Sequence, residues 1–144
     1  DGLVKKIRLR HGAQMISRYN AALFIKNQLK ENKLFLYGMA ADQSAQIRSK
    51  TYWKEFLGIK VPVFTGSERI AKEHDLPVVF GKMKQKKRGF YSVEVEVICE
   101  KPKKIKDFKI TDKFVTLVEK QIKESPHLYF WTHDRFKHKD KAPI

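Results

Sequence analysis

The five histidines and the single cysteine are the side chains of this chain best suited to acid–base or metal chemistry, and their spacing excludes most of it. No pair among His11, His74, His127, His133 and His138 has a familiar zinc spacing. His133 and His138 with Asp134 and Asp140 are a conceivable ligand group, but they lie in a basic tail that reads more simply as solvated. Cys99 falls in an alternating stretch and reads as a small buried apolar residue, because a nucleophile needs a neighbouring His and a lowered thiol pKa. One cysteine also rules out an intrachain disulfide. There is no glycine-rich phosphate loop and no nucleophile elbow. No metal and no cofactor is expected.

Four polar stretches remain. Asp42-Gln43 follows an apolar run, so it can sit at a sheet end facing a cleft; Asp42 then orients a base or binds a headgroup, or else simply caps a turn. Arg18, in MISRYN, precedes a helix start and has the fork geometry that holds phosphate, although a surface ion pair is the plainer reading. VPVFTGSE ends at another helix start, where Gly66 lets an anion approach the backbone closely. Ordinary capping by Thr65 and Glu68 explains the same residues. In the tail, WTHDRFKHK interleaves Trp131 and Phe136 with His133, Arg135, Lys137 and Lys139, which suits stacked bases, a bilayer interface, or aromatics packed on the domain beside a solvated basic end.

These stretches have to be held by elements. Leu3 to Arg10 predicts a short basic helix stopped at Gly12, and Gln14 to Ser17 a brief strand. Asn20 suits an N-cap for a helix carrying Ala22, Ile25 and Leu29. The run LFLYGMAA, Leu34 to Ala41, predicts a strand buried on both faces, as in a parallel sheet. Tyr52, Trp53, Phe56 and Leu57 suggest a short amphipathic helix. Thr65 and Glu68 have capping-box spacing for a helix from about Gly66 to His74, and Pro77 precedes the strand VVF. KMKQKKR, Lys82 to Arg88, reads as a basic turn closed by Gly89. Tyr91, Val93, Val95, Val97 and Cys99 then alternate with polar residues, predicting a hairpin with one solvated face. Phe114, Val115, Leu117, Val118 and Ile122 make the stripe of a last helix, capped by Thr111 or Asp112 and stopped by Ser125-Pro126. The order predicts an α/β fold: a mostly parallel sheet flanked by helices, with an antiparallel hairpin at one edge.

The chain has 144 residues, 42% of them hydrophobic, which suits one domain with a real core. Its formal charge of +15 implies an acidic partner: nucleic acid, an anionic membrane surface or an acidic carrier protein. No apolar run has the length of a membrane span, and no secretory signal is visible. The first residue is Asp1, so the sequence is expected to begin inside a longer protein or after processing.

Taken in order, these segments resemble the lipid A biosynthesis acyltransferase family, which includes lauroyl and myristoyl transferases. The matching stretches are HGAQMISRYNAALFIKNQLKENK, LFLYGMAADQ, KVPVFTGSERIAKEHDLPVVF, GFYSVEVEV and HLYFWTHDRFKHK. The last, with its Trp-x-His-x-Arg-Phe-Lys pattern, is the most specific, and the resemblance spans essentially the whole chain. One departure stands out. The family's active site is a His followed by four residues and an acidic one, but five positions after the histidines here stand Ile16, Val79, Thr132, His138 and Pro143. The resemblance therefore implies that residues 1–144 are the C-terminal part of a single acyltransferase domain, with the general base expected upstream of Asp1 and the piece inactive alone.

Several roles are implied by the same resemblance. Asp42 becomes a supporting catalytic residue. Arg18, Gln43, Val61, Phe64 and Gly66 become substrate-binding candidates, as does Arg135, which reads as structural or membrane-facing rather than catalytic. The implied reaction moves an acyl chain from an acyl carrier protein thioester to a hydroxyl of a lipid A-type glycolipid, at the cytoplasmic face of the inner membrane, against an anionic membrane surface. No nucleic acid is expected as a partner. The rival, a basic nucleic-acid-binding module, rests on the charge and the aromatic-basic tail, but no nucleic-acid-binding signature accompanies them.

Overall fold

A computed structural model describes residues 2–17, 19–31 and 34–143. The chain divides into two compact units, Asp1–Tyr37 and Gly38–Ile144.

The first unit holds two helices, α1 (Gly2–Leu9) and α2 (Ala21–Leu29). Helix α1 buries none of its residues, and Leu3, Val4 and Ile7 face outward. It stops where expected: Gly12 takes φ +77°, and its amide bonds the Leu9 carbonyl at 3.2 Å. Asn20 precedes α2, but its side chain makes no cap; Ile25 is the buried residue of that helix. Gln14 to Ser17 do not form the expected strand.

The second unit carries β1 (Trp53–Phe56), β2 (Ile59–Pro62), α3 (Gly66–His74), β3 (Val78–Lys87), β4 (Phe90–Cys99) and α4 (Lys109–Glu124), with short 3-10 turns at Pro102–Lys104, Pro126–Leu128 and Lys139–Lys141. The expected mostly parallel sheet is not there. The strands form two separate antiparallel ribbons, β1–β2 and β3–β4. The cause lies in the connections. Leu57-Gly58 links β1 to β2 with φ of +50° and +80°, the positive-φ pair of a two-residue hairpin, and Arg88-Gly89 links β3 to β4 with Gly89 at +79°. Such turns admit only antiparallel pairing; a parallel pair needs a long crossover. Helix α3 is placed as a crossover would be, but β2 and β3 belong to different ribbons.

Leu34 to Ala41 is likewise not a strand. It lies in irregular chain, with Leu34 and Leu36 wholly exposed. An apolar run is buried on both faces only between partner strands, and both ribbons are already complete hairpins. The Tyr52–Leu57 stretch holds strand β1 (Trp53–Phe56) and the start of its turn, not a helix, and Phe56 is its buried residue. The basic segment after Phe80 is the second half of β3 and not a turn: Lys82 pairs with Glu94 across the ribbon, and Lys84 Nζ lies 2.7 Å from Glu94 Oε1.

The hairpin's two faces are assigned the other way round from the alternation. Phe80 turns toward α4 and meets Phe114 edge-on at 5.9 Å, while Lys82 on the same face pairs with Glu124 of α4. The face holding Val79, Met83, Val93, Val95 and Val97 is the exposed one. The core gathers Phe56, Val61, Val63, Phe80, Ile98 and Cys99 around Ile110, Val115, Val118 and Ile122 of α4. Val115, Val118 and Ile122 belong to the stripe that the sequence predicts for the last helix; Phe114 and Leu117 of that stripe are only partly buried against the core, and Ile110 joins it.

Candidate functional site

The tail is the first positioning device. Tyr129 donates its hydroxyl to the Asp42 carbonyl at 3.0 Å, and the Ser44 amide donates to His133 Nε2, also at 3.0 Å. His133 therefore presents an unprotonated Nε2. Its partner Ser44 is buried, so the loop from Asp42 to Ser44 is fixed through its backbone by two tail side chains. Arg135 is 3% exposed; it donates Nη1 to the Pro62 carbonyl at 2.8 Å and lies 5.1 Å from the Phe56 ring centre. Burial pushes its pKa below the usual arginine value, with Tyr129 and Asp42 opposing the shift, and burial pushes the Tyr129 phenol up.

Asp42 and Arg135 are thus brought into one electrostatic neighbourhood, with Asp42 half-buried and Gln43 exposed beside it. Val61 is fully buried in the core. Phe64 is half-buried just before α3, and Gly66 begins that helix. No atom would meet a side chain added at Gly66, so its surroundings are open. Arg18 lies outside the described residues. Among the described residues, no three His, Cys, Asp or Glu side chains come together as a metal site.

The second device is a cleft of about 290 Å³ between α3 and the start of α4, lined by Thr65, Glu68, Arg69, Lys72, Asp107 and Phe108. Its chemistry departs from the capping box. Thr65 makes no side-chain cap at α3. Glu68, 4% exposed, turns inward instead: its Oε2 accepts from the Thr111 amide at 2.8 Å and the Thr111 hydroxyl at 2.6 Å. These bonds serve the first turn of α4, which has no cap of its own because its N-cap residue is Phe108. Phe108 sits at φ +67°, a conformation costly for a bulky residue, and its ring stacks on Tyr52 at 4.1 Å. Lys72 closes one wall, bonded to the Ile105 carbonyl at 2.7 Å and paired with Asp107.

Tyr52 reports on this neighbourhood. Its hydroxyl donates to Asp112 Oδ1 at 2.8 Å. Burial, the bond to Asp112, and the charges of Asp112 and Glu68 push its pKa from 10.0 up to about 12. A raised folded-state pKa means that the stabilisation is fully present below the unfolded value of 10.0 and is lost as pH rises through about 12. An ultraviolet titration should therefore show a tyrosinate component near pH 12 that disappears in Tyr52→Phe and moves down in Asp112→Asn. A Tyr52 component at the ordinary value would refute the placement.

Sequence reasoning missed Glu68 as a buried ligand of Thr111, and it missed Arg69, Tyr52 and Phe108. A carboxylate in a first helical turn reads as a cap or a dipole partner, and nothing local marks one that is swallowed by a helix 43 residues away.

By geometry alone the second unit is an α+β domain of two hairpins and two helices, with a polar cleft at a helix start. The family comparison goes further. The profile of the family described as bacterial lipid A biosynthesis acyltransferase matches residues 1–138, and the chain belongs to that family. Acyl transfer in lipid A biosynthesis is the activity that this membership supports for the parent protein. No curated protein and no solved structure matches the chain. Among the described residues, no helix is long and apolar enough to cross a membrane.

Proposed function

We propose that this chain forms part of the acceptor- and donor-holding region of an enzyme that moves a fatty acyl chain from an acyl carrier protein thioester to a hydroxyl of a lipid A-type glycolipid. The observation that carries the reading is the family match over residues 1–138. The reaction needs a base for the acceptor hydroxyl and an electrophilic thioester carbonyl. The base is proposed to come from residues outside these 144, since none of the five histidines has an acidic residue five positions on. The 144-residue chain alone is then inactive. Asp42 is proposed to support the base, and the fixing of its loop by Tyr129 and His133 is what such a role requires. The net charge of +15 suits two acidic partners, the carrier protein and an anionic leaflet. The working place proposed for the enzyme is the cytoplasmic face of the inner membrane.

The test is acyl transfer by the full-length enzyme from an acyl carrier thioester to a lipid A precursor. Asp42→Ala should cut turnover on the order of a hundredfold while thermal unfolding stays unchanged. Unchanged turnover would return Asp42 to a turn residue. Near-full activity of the 144-residue chain would overturn the placement of the base. Tight RNA or DNA binding at physiological salt with a steep salt dependence, against weak retention on anionic vesicles, would favour the nucleic-acid module instead.

A further inference from the structure

We infer that the exposed face of the β3–β4 hairpin docks on an anionic phospholipid bilayer, its valine rows entering the interface and the cations of its turn meeting lipid phosphates.

The register builds the face. Val79 pairs with Val97, Gly81 with Val95, Met83 with Val93 and Gln85 with Tyr91, so these residues form two adjoining rows on one side of the ribbon. Val93 Cγ1 lies 3.3 Å from where a Cβ of Gly81 would stand, so the valine covers the glycine and the apolar surface is continuous. None of these side chains is charged, and Val93 and Val95 are 59% and 67% exposed. Gln85, the polar member of the rows, is bonded to His127 at 2.9 Å. The opposite side is the one that α4 covers, through Phe80 and Lys82. Adjoining rows of apolar side chains held in water mark a contact surface.

Charge decides the occupant. The segment KMKQKKR carries Lys82, Lys84, Lys86, Lys87 and Arg88 and no acid. Lys82 and Lys84 are neutralised by Glu124 and Glu94. Lys86 and Arg88 make no ion pair among the described residues, and Lys87 lies over the Phe90 ring at 4.3 Å. The turn thus sets three cations without a carboxylate beside the exposed rings of Phe90 and Tyr91, at one end of the apolar rows. A second copy does not fit: two chains of +15 repel, and neither brings a carboxylate on this face. Nucleic acid would answer the cations but leave the valines in water, since bases stack on rings and not on aliphatic rows. An anionic bilayer answers all three groups, with phosphate for the cations, an apolar layer for the valines and a headgroup level for the rings. The acyl-transfer reading names an anionic leaflet but no surface that meets it. The choice of lipid over an acidic protein rests on that reading, while the docking face does not.

The test is co-sedimentation of the 144-residue chain with vesicles of phosphatidylglycerol and phosphatidylcholine, against vesicles of phosphatidylcholine alone. The anionic vesicles should hold the chain at least about tenfold more tightly. Replacing Lys86, Lys87 and Arg88 together by Gln should weaken that binding by about a hundredfold. Replacing Lys101, Lys103 and Lys104 by Gln removes the same charge from another exposed stretch and should cost less than about fivefold. Val93→Thr with Val95→Thr keeps the β-branched shape that a strand favours and should weaken binding by about tenfold. Equal retention on both vesicles, equal losses from the two triple variants, or an unchanged affinity in the valine variant would each overturn the assignment. So would a lipid-free dimer, seen by analytical ultracentrifugation, that the valine variant dissolves, because the face would then belong to a second copy. Should the valine variant fail to fold, the two triple variants still decide. Vesicle binding is read without turnover, so a failed acyl-transfer assay and a chain that ignores vesicles are separate results.

Discussion

Arg135→Ala is expected to lower the unfolding free energy of the chain by about 2–4 kcal/mol, although among the described residues the Arg135 side chain makes a single hydrogen bond. The reason is where that bond ends. The Pro62 carbonyl belongs to the last residue of β2, and Pro62 is among the most fully buried residues of the chain. Deleting the guanidinium leaves that acceptor without a donor, an expense of about 1–3 kcal/mol. It also removes the arginine stem and its cation from beside the Phe56 ring. One effect opposes these: the charge is itself expensive to bury, and Arg135 Nε has no partner among the described residues. The orphaned carbonyl and the lost packing outweigh that relief, because the alanine leaves a gap. Arg135→Met separates the contributions by restoring volume without a donor, and should recover part of the loss. Arg135→Lys should recover less than conservation of charge suggests, because lysine lacks the planar fork. Urea unfolding monitored by fluorescence measures all three, and an Arg135→Ala change below about 1 kcal/mol would show that the tail is not tied down through Pro62.

That prediction bears on function through position, not chemistry. The residues marked most specifically by the family resemblance, in WTHDRFK, are used by the fold as anchors. His133 takes the Ser44 amide, Arg135 takes the Pro62 carbonyl, and Tyr129 just upstream takes the Asp42 carbonyl. The tail thus connects the Asp42 loop to the β1–β2 hairpin that leads into α3. Loosening it should disturb Asp42 and the approach to the cleft together.

What could be read from the sequence follows physical lines. Helix α4 was legible because it has a one-sided apolar stripe and a stop at Ser125-Pro126, whereas α3 was read from the Thr65 and Glu68 spacing, although Thr65 makes no cap and Glu68 turns inward to Thr111. The β3–β4 hairpin was legible from strict alternation, but which face would be covered was not. Alternation tells apart two faces; packing of α4 on Phe80 decides between them, and that depends on residues far away in the chain. LFLYGMAA failed for a related reason. Apolar content reports that a segment can be buried, and not that partner strands exist to bury it. The Leu57-Gly58 turn was hidden inside a stretch whose aromatic spacing also fits a helix. Asp42, Phe64 and Gly66 were named from order and resemblance, and none of the three lines the cleft. Glu68 and Arg69 were visible only as capping and surface residues, since their use depends on Thr111 and on a cleft that no local pattern encodes.

Phe56→Ala should be the most damaging single substitution in the second unit, with an expected loss of about 3–5 kcal/mol. Phe56 is 2% exposed, and its ring is the meeting point of three tail side chains: Tyr129 at 6.3 Å, Phe136 at 6.1 Å, and the Arg135 guanidinium at 5.1 Å. It stands directly before the Leu57-Gly58 turn, so the backbone that carries it cannot easily shift to close a cavity. The Leu57 amide is held as well, bonded to Glu119 Oε1 of α4 at 2.5 Å. A rigid frame around a large deletion is the condition under which cavity costs are highest. Because a domain of this size has only about 5–15 kcal/mol to lose, the variant should be partly unfolded at working temperature. The coupling is the sharper test. Phe56→Ala and Arg135→Ala share contacts, so the double variant should lose less than the two losses added, by about 0.5–3 kcal/mol. Strict additivity would mean that the ring and the guanidinium act separately, and that the tail is anchored to Pro62 without the help of Phe56.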